Sequence, residues 1–425
     1  MKKEFDVEKY RNQFPALNKP DSPLFFDAVG GTQVPAPVIS AVVDYMINKN
    51  GNKGGIFKES RETDEIMDKT RELTADFLNA PSPKEVMFGP NYTTNTFMVS
   101  RAIAKTWNKG DNIVLSRLDH DANVSPWVRA AEDTGIEVRY MDITNDGRIQ
   151  IDMGQYGDQL DKRTRLVAFC AASSSVGTRT DVKKITSMAH DVGALSYVDA
   201  VAYAPHGPID VKDWDADFVG VSTYKFFGPH VGLLWGKEEL LHSLPAYKIR
   251  PAPDELPTRW LNGAQSYETL AGVNAMFGYL KSVGRDYPDH MEQAAHLPQS
   301  RQELRAAMTA IQDYEGTLSR RFIESIGQIP EYQIWGVTKP EDDVNRVPTI
   351  AVALPGETSQ NIAMFLANSG INIWSRSVYS ISLSERLGLE NTGGFIRAGI
   401  VHYNTPREVD TLVDFLDRYK NGIST

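Results

Sequence analysis

Residues 217–232 read DFVGVSTYKFFGPHVG. An apolar run climbs to one lysine, Lys225, and stops at two aromatics and a Gly228-Pro229 turn. A buried ammonium is costly unless water or a partner reaches it, so a lysine at the end of a buried strand needs a reason. Snorkelling from the sheet margin is one. The other is chemical: an amine shielded by Tyr224, Phe226 and Phe227 loses basicity and can condense with a carbonyl. Ser222 and Lys225 also match S-x-x-K of penicillin-recognising enzymes. That motif opens a helix and needs K-T-G elsewhere, which this sequence lacks.

Outward from this stretch, short strand-like runs recur: EVMFG (85–89), NIVLS (112–116), EVRYMDI (137–143), RLVAFCAA (165–172), ALSYVDAV (194–201), DFVGVS (217–222) and VGLLWG (231–236). Several lack the alternation of a half-exposed strand and read as buried on both faces. Helical patterns lie between them, such as 181–192 with Asp181 as cap and Val182, Ile185, Met188, Ala189 and Val192 along one side. Strands alternating with helices predict an α/β domain around a largely parallel sheet. From about residue 290 the texture changes to a long polar helix, two apolar runs (TIAVAL, 349–354; GFIRAGIVHY, 394–403) and a last helix. Thr405 and Glu408 open that helix as a capping box, with Pro406 at its first position. The division expected is an N-terminal segment 1–24 packing on the small domain, a large domain 25–289 and a smaller α+β domain 290–425.

The composition is that of a globular chain: 425 residues, 41% hydrophobic and 24% charged. The net charge of −10 argues against nucleic acid as the main partner. No apolar span suits a membrane and the N-terminus is too polar for a secretory signal, so a cytoplasmic protein is expected. The single cysteine, Cys170, reads as a small core residue with no disulfide or metal cluster to join.

Three further features bear on Lys225. Asp199 closes a strand run at the end where open α/β sheets bind ligands, and beside a pyridine nitrogen it would keep that nitrogen protonated. GPNYTTNTF (89–97) is a turn leading into a helix, a phosphate-binding arrangement to which Thr94 adds a hydroxyl; simple capping is the plainer reading. His120 in RLDHDANVSPW (117–127) has no metal-spaced partner and is free to stack on a flat ring.

With YKFFGPHVG (224–232), VDAVAYAPHGPIDV (198–211) and LDHDANVSPW (118–127), the chain resembles the class V aminotransferases, fold-type I pyridoxal-phosphate enzymes, and within them the cysteine desulfurase-like branch. The resemblance runs from FFDAVGGTQVP (25–35) to GIVHYNTPREVD (399–410). It implies a large domain with a mostly parallel seven-stranded sheet, pyridoxal 5′-phosphate as cofactor, an amino acid as substrate, and a homodimer with its active sites at the interface. Lys225 would hold the cofactor's aldehyde, Asp199 its ring nitrogen and His120 its ring face. Thr94, the Asn95 backbone and Ser222 would hold its phosphate, with Tyr224 beside them and Ala264, in WLNGAQS (260–266), on the loop reaching the partner's phosphate. Arg397 would bind the substrate carboxylate, with Ser174, Ala202 and Gly31 lining the substrate side.

The departures matter as much. The stretch INIWSRSVYSIS (371–382) has no cysteine where desulfurases carry their sulfur, which removes a persulfide relay from consideration. Ser174 stands for an asparagine, Ala202 for a glutamine, Tyr224 for a histidine and Ala264 for a threonine; Ser174 and Ala202, both smaller, would leave more room and fewer hydrogen bonds on one side of the ring. The expected activity is a C–S or similar β-elimination lyase. Transamination or epimerisation is the alternative, and a pyridoxal-phosphate fold with little catalysis the second.

Overall fold

The structure, a computed structural model, describes residues 3–150, 159–376, 379–389 and 393–422. A short strand β1 (Leu24–Phe25) precedes the seven runs read from the sequence. Those runs become β2 (Val86–Gly89), β3 (Asn112–Ser116), β4 (Glu137–Met141), β5 (Thr164–Cys170), β6 (Leu195–Asp199), β7 (Phe218–Ser222) and β8 (Gly232–Gly236). They form one sheet in the order β2-β8-β7-β6-β5-β3-β4. β8 runs against both of its neighbours and the other pairs are parallel.

The central strands are continuously apolar because both faces are covered. Val114, Val167, Phe169, Val198 and Val219 face one core, which includes residues of helices Lys58–Phe77 and Tyr267–Arg285. Their neighbours Ile113, Leu166, Ala168, Tyr197 and Phe218 face a second core shared with helices Tyr92–Ala104 and Ser125–Thr134. Successive side chains point to opposite faces, so a strand with no solvent face has no polar positions to alternate with. β4, at the sheet edge, is only partly buried.

The C-terminal part carries an antiparallel sheet, β12-β13-β10-β9, from β9 (Gln333–Trp335), β10 (Thr349–Ala353), β12 (Trp374–Ser375) and β13 (Ile396–Gly399). β11 (Ile371–Asn372) instead pairs in parallel with β1. The helix Gln299–Ile326 joins the two parts, contributing Leu304, Ala307 and Ile311 to the first core and Leu318, Phe322 and Ile326 to the C-terminal one. The N-terminal segment touches both sides. Arg11 pairs with Glu408 at 2.6 Å, while Lys9 pairs with Asp286 at 2.6 Å. The last helix, Pro406–Lys420, begins with the Thr405–Glu408 capping box. Among the described residues no helix is long and apolar enough to cross a membrane.

Candidate active site

The parallel strands β3, β5, β6 and β7 end along one rim, and a cleft with about 780 Å³ of empty space, part of it open to solvent, lies there. This is the ligand-binding edge of an open α/β sheet.

Lys225 is set by the turn that ends β7. Thr223 donates its N–H to Val231 and accepts from the N–H groups of Phe226 and Gly228, closing a tight bend. Phe226 stacks on Phe77 with ring centroids 5.2 Å apart, and Phe227 meets His402 edge-on at 4.5 Å. Phe227 has φ +74°, a left-handed backbone worth about 1–3 kcal/mol of strain, held by that packing and by its N–H bond to Thr32 Oγ1 at 2.7 Å. The two aromatics are anchors, and Lys225 beside them points into the cleft, where its Nζ donates to the Val29 carbonyl. Burial, then the charge of Arg397, pull its pKa down to about 8, with Asp199 opposing. An amine neutral for part of the time near neutral pH is a usable nucleophile.

Asp199 ends β6 on the cleft wall and accepts from the Val201 N–H at 2.8 Å. Burial raises its pKa to about 6. A buried carboxylate of this kind gains from a protonated partner in the cleft. His120 also lines the cleft. Its Nδ1 accepts from the Ala122 N–H at 3.0 Å, so its remaining proton sits on Nε2, and burial takes its pKa down to about 4. The imidazole is a neutral, flat ring, stacked on Tyr379 at 5.2 Å and 23°.

Several expected residues do not line this cleft. Thr94 and Asn95 are off the cleft wall. The reason is the helix cap: Asn91 Oδ1 accepts from Thr94 N–H at 2.8 Å, so the helix starts at Tyr92 and the Asn95 N–H is spent on the Asn91 carbonyl. Asn91, Tyr92 and Thr93, at the start of this helix, form this edge of the cleft instead. Gly31 is off the wall too, with φ +147° and its open side against the Tyr224 ring, where a Cβ would come within 3.0 Å. Ala264, expected to serve the partner's cleft, lies on an exposed loop outside the lining of this one. Ser222, Tyr224, Ser174 and Ala202 do line it. Tyr224 stacks on His230 at 4.6 Å. Arg397 sits in β13 just behind the wall, its Nη1 donating to the Ser174 carbonyl at 3.1 Å, and burial pulls its pKa to about 10.

Four residues of the cleft region were not singled out from the sequence for their place here. Cys170 is buried, as expected, yet also lines the cleft, paired in register with Asp199. Burial and the nearby Asp119 and Asp199 push its thiol well above its ordinary pKa, which makes it a poor nucleophile. Asn91 was legible as the cap before a helical run. His206 on the wall and Tyr379 over His120 had no local signal.

These residues suit pyridoxal phosphate: an amine, a buried carboxylate, a flat neutral ring and a helix start meet in one cleft. Among the described residues, the buried Ser174 Oγ and Arg397 Nε have no hydrogen-bond partner. Comparison with known proteins agrees. The family model described as "Aminotransferase class-V" matches residues 24–296 and 301–412. An aminotransferase-like protein of Gibberella zeae is 31% identical, covering 97% of this chain and 98% of that protein. A probable cysteine desulfurase of Streptomyces coelicolor is 27% identical, covering 98% of this chain and 97% of its own. Among solved structures, the apo cysteine desulfurase of Thermococcus onnurineus aligns over 99% of this chain and 100% of its own with a TM-score of 0.85 at 23% identity, and a cysteine desulfurase of Escherichia coli over 99% of each with 0.80 at 23%. With its sheet, its lysine turn and its whole-length match, the chain belongs to the class V aminotransferase family of pyridoxal-phosphate enzymes.

Proposed function

We propose that this enzyme is a lyase that removes a β-substituent, such as a sulfur group, from an α-amino acid without a protein persulfide. The observation that carries the reading is Lys225, an amine with its pKa pulled down to about 8, in one cleft with Asp199 and His120. The stretch 371–382 has no cysteine, and Cys170 is held protonated.

Lys225 would hold the cofactor's aldehyde, Asp199 its ring nitrogen, His120 its ring face, and Asn91, Tyr92, Thr93 and Ser222 its phosphate. When bound, pyridoxal phosphate supplies an electron sink for a carbanion at the substrate Cα. The chain does the rest. Arg397 binds the α-carboxylate with a planar guanidinium whose Nε has no other partner among the described residues. Lys225 Nζ would take the Cα proton, a task suited to a base with a pKa of about 8.

Transamination is the second reading, favoured by the 31% identical relative named as aminotransferase-like. Incubating the protein with pyridoxal phosphate and L-cysteine should release pyruvate and sulfide together. Transamination instead requires a keto-acid acceptor. If no visible cofactor band forms and borohydride fixes nothing to Lys225, both readings fail.

A homodimer belongs to the same proposal. Helix Ala36–Asn48 leaves Ile39, Val43, Met46 and Ile47 exposed along one face, next to Ile56 (92% exposed) and Phe57. Such an apolar strip on an otherwise polar surface suits a second copy of the chain.

A further inference from the structure

The cleft contains an imidazole that the chemistry above leaves idle. His206, in the turn after β6, lies on the wall beside Ala202 and Pro205. Its Nδ1 stands 2.7 Å from Oε2 of Glu315, on the helix Gln299–Ile326 that joins the two parts of the chain. The side chains are 7% and 1% exposed, so this is a buried pair, and it is the ring's one hydrogen bond among the described residues. A carboxylate against one imidazole nitrogen fixes both the ring's rotation and its tautomer. Nδ1 carries the proton that Glu315 accepts, and Nε2 is the working nitrogen.

Two features say where that nitrogen is useful. Ser174 and Ala202, both small, share this wall of the cleft with His206 and leave room for a substrate's side chain. His206 also borders a second cavity with about 750 Å³ of empty space, part of it open to solvent and lined also by Arg179, Gln312, Thr317 and Ser319, from which water can return a proton to the ring.

We infer that His206, oriented by Glu315, is the acid that protonates the departing β-substituent; the inference rests on the β-elimination reading. With no cysteine in 371–382 to take the sulfur, the leaving atom must take a proton instead. The Cβ–X bond breaks, its electron pair goes to X, and X accepts the Nε2 proton. The ring is left neutral with Nδ1–H still on Glu315, and nothing is oxidised or reduced. The substrates so served are α-amino acids whose β-substituent leaves poorly as an anion, thiols and hydroxyls above all.

The test compares leaving groups in the holoenzyme. L-Cysteine must expel a thiol and needs the acid; β-chloro-L-alanine expels chloride and does not. His206→Gln should cut pyruvate release from L-cysteine about 100-fold or more, the scale of a lost general acid, and leave β-chloro-L-alanine within about twofold. Glu315→Gln should fall between. Equal losses on both substrates, no loss on either, or a wild type active on β-chloro-L-alanine alone overturns the inference. Nitrogen-15 NMR of the cofactor-free chain supplies a readout independent of turnover. The His206 resonance, identified by its loss in His206→Gln, should show a protonated Nδ1 whose hydrogen bond Glu315→Gln weakens. An unprotonated Nδ1 overturns the assignment by itself. A wild type inactive on both substrates, with Nδ1 as expected, refutes the elimination reading and the acid role with it.

Discussion

Tyr379 lies on the ring of His120, centroids 5.2 Å apart and 23° from parallel, and its carbonyl accepts the Asp121 N–H at 2.6 Å. Two segments far apart in the chain are thereby joined at the edge of the cleft. Ser380, the next residue, is bonded to Ser175 at 2.8 Å. The stretch 371–382, which has no cysteine, thus supplies an aromatic backing for the His120 ring.

That stack predicts a specific split between two substitutions. Tyr379→Ala should weaken pyridoxal phosphate binding about 2- to 12-fold, the worth of one aromatic pair, while Tyr379→Phe keeps it. Titrating the visible absorbance of the bound cofactor measures both.

The lowered pKa of Lys225 gives a prediction with a sign. Arg397 holds it down and Asp199 holds it up. Removing the positive neighbour in Arg397→Met should move the pKa upward, and removing the negative one in Asp199→Asn should move it downward. Fixation of pyridoxal phosphate to the cofactor-free chain by borohydride, followed across pH by mass spectrometry, should have its midpoint near pH 8 in the wild type and shift in those two directions.

His120 should make the protein sensitive to acid. Its folded pKa of about 4 lies below the ordinary histidine value of 6.5, so between the two the unfolded chain binds the extra proton. Stability from this group is therefore full above about pH 6.5 and falls as the pH drops toward 4. His120→Phe, which keeps a ring against Tyr379, removes that slope. Its melting midpoint should gain on the wild type as the pH is lowered through this window, and stay parallel to it above pH 7.

Gly177 ties the loop after β5 to the start of β10. It has φ +75°, and a Cβ would run into the carbonyl oxygens of Thr349 and Val347. Gly177→Ala should cost more than about 2 kcal/mol, because backbone strain and a backbone clash add. Chemical denaturation measures it.

If the exposed face of helix Ala36–Asn48 is the dimer contact, a charge at its centre should break it. Val43→Asp should give a monomer by analytical ultracentrifugation with unchanged circular dichroism, where the wild type sediments as a dimer.

How much of this the sequence showed depends on the range of the forces involved. Each of the seven strand runs is dictated by its own apolar residues, and each lies in the sheet within a few residues of where the pattern put it. The caps at Asp181 and Thr405 were equally legible, because a capping side chain bonds to a backbone N–H three residues away. The cap at Asn91 was legible in principle, as an amide side chain just before a helical run. Lys225, Asp199 and His120 stood out as polar groups at the ends of apolar runs, or in a turn beside one. Such positions need an explanation wherever the chain folds.

What only the tertiary structure decided is which of these groups meet. Glu315 lies 109 residues from His206, and nothing near either residue announces the other. Tyr379 reaches His120 and Cys170 turns to the cleft only because the sheet order and the C-terminal part place them there. Local pattern fixes whether a residue is buried, since burial follows from its own segment's periodicity. The partner of a buried polar group is set by how segments pack, and a single chain's order of residues does not contain that distance.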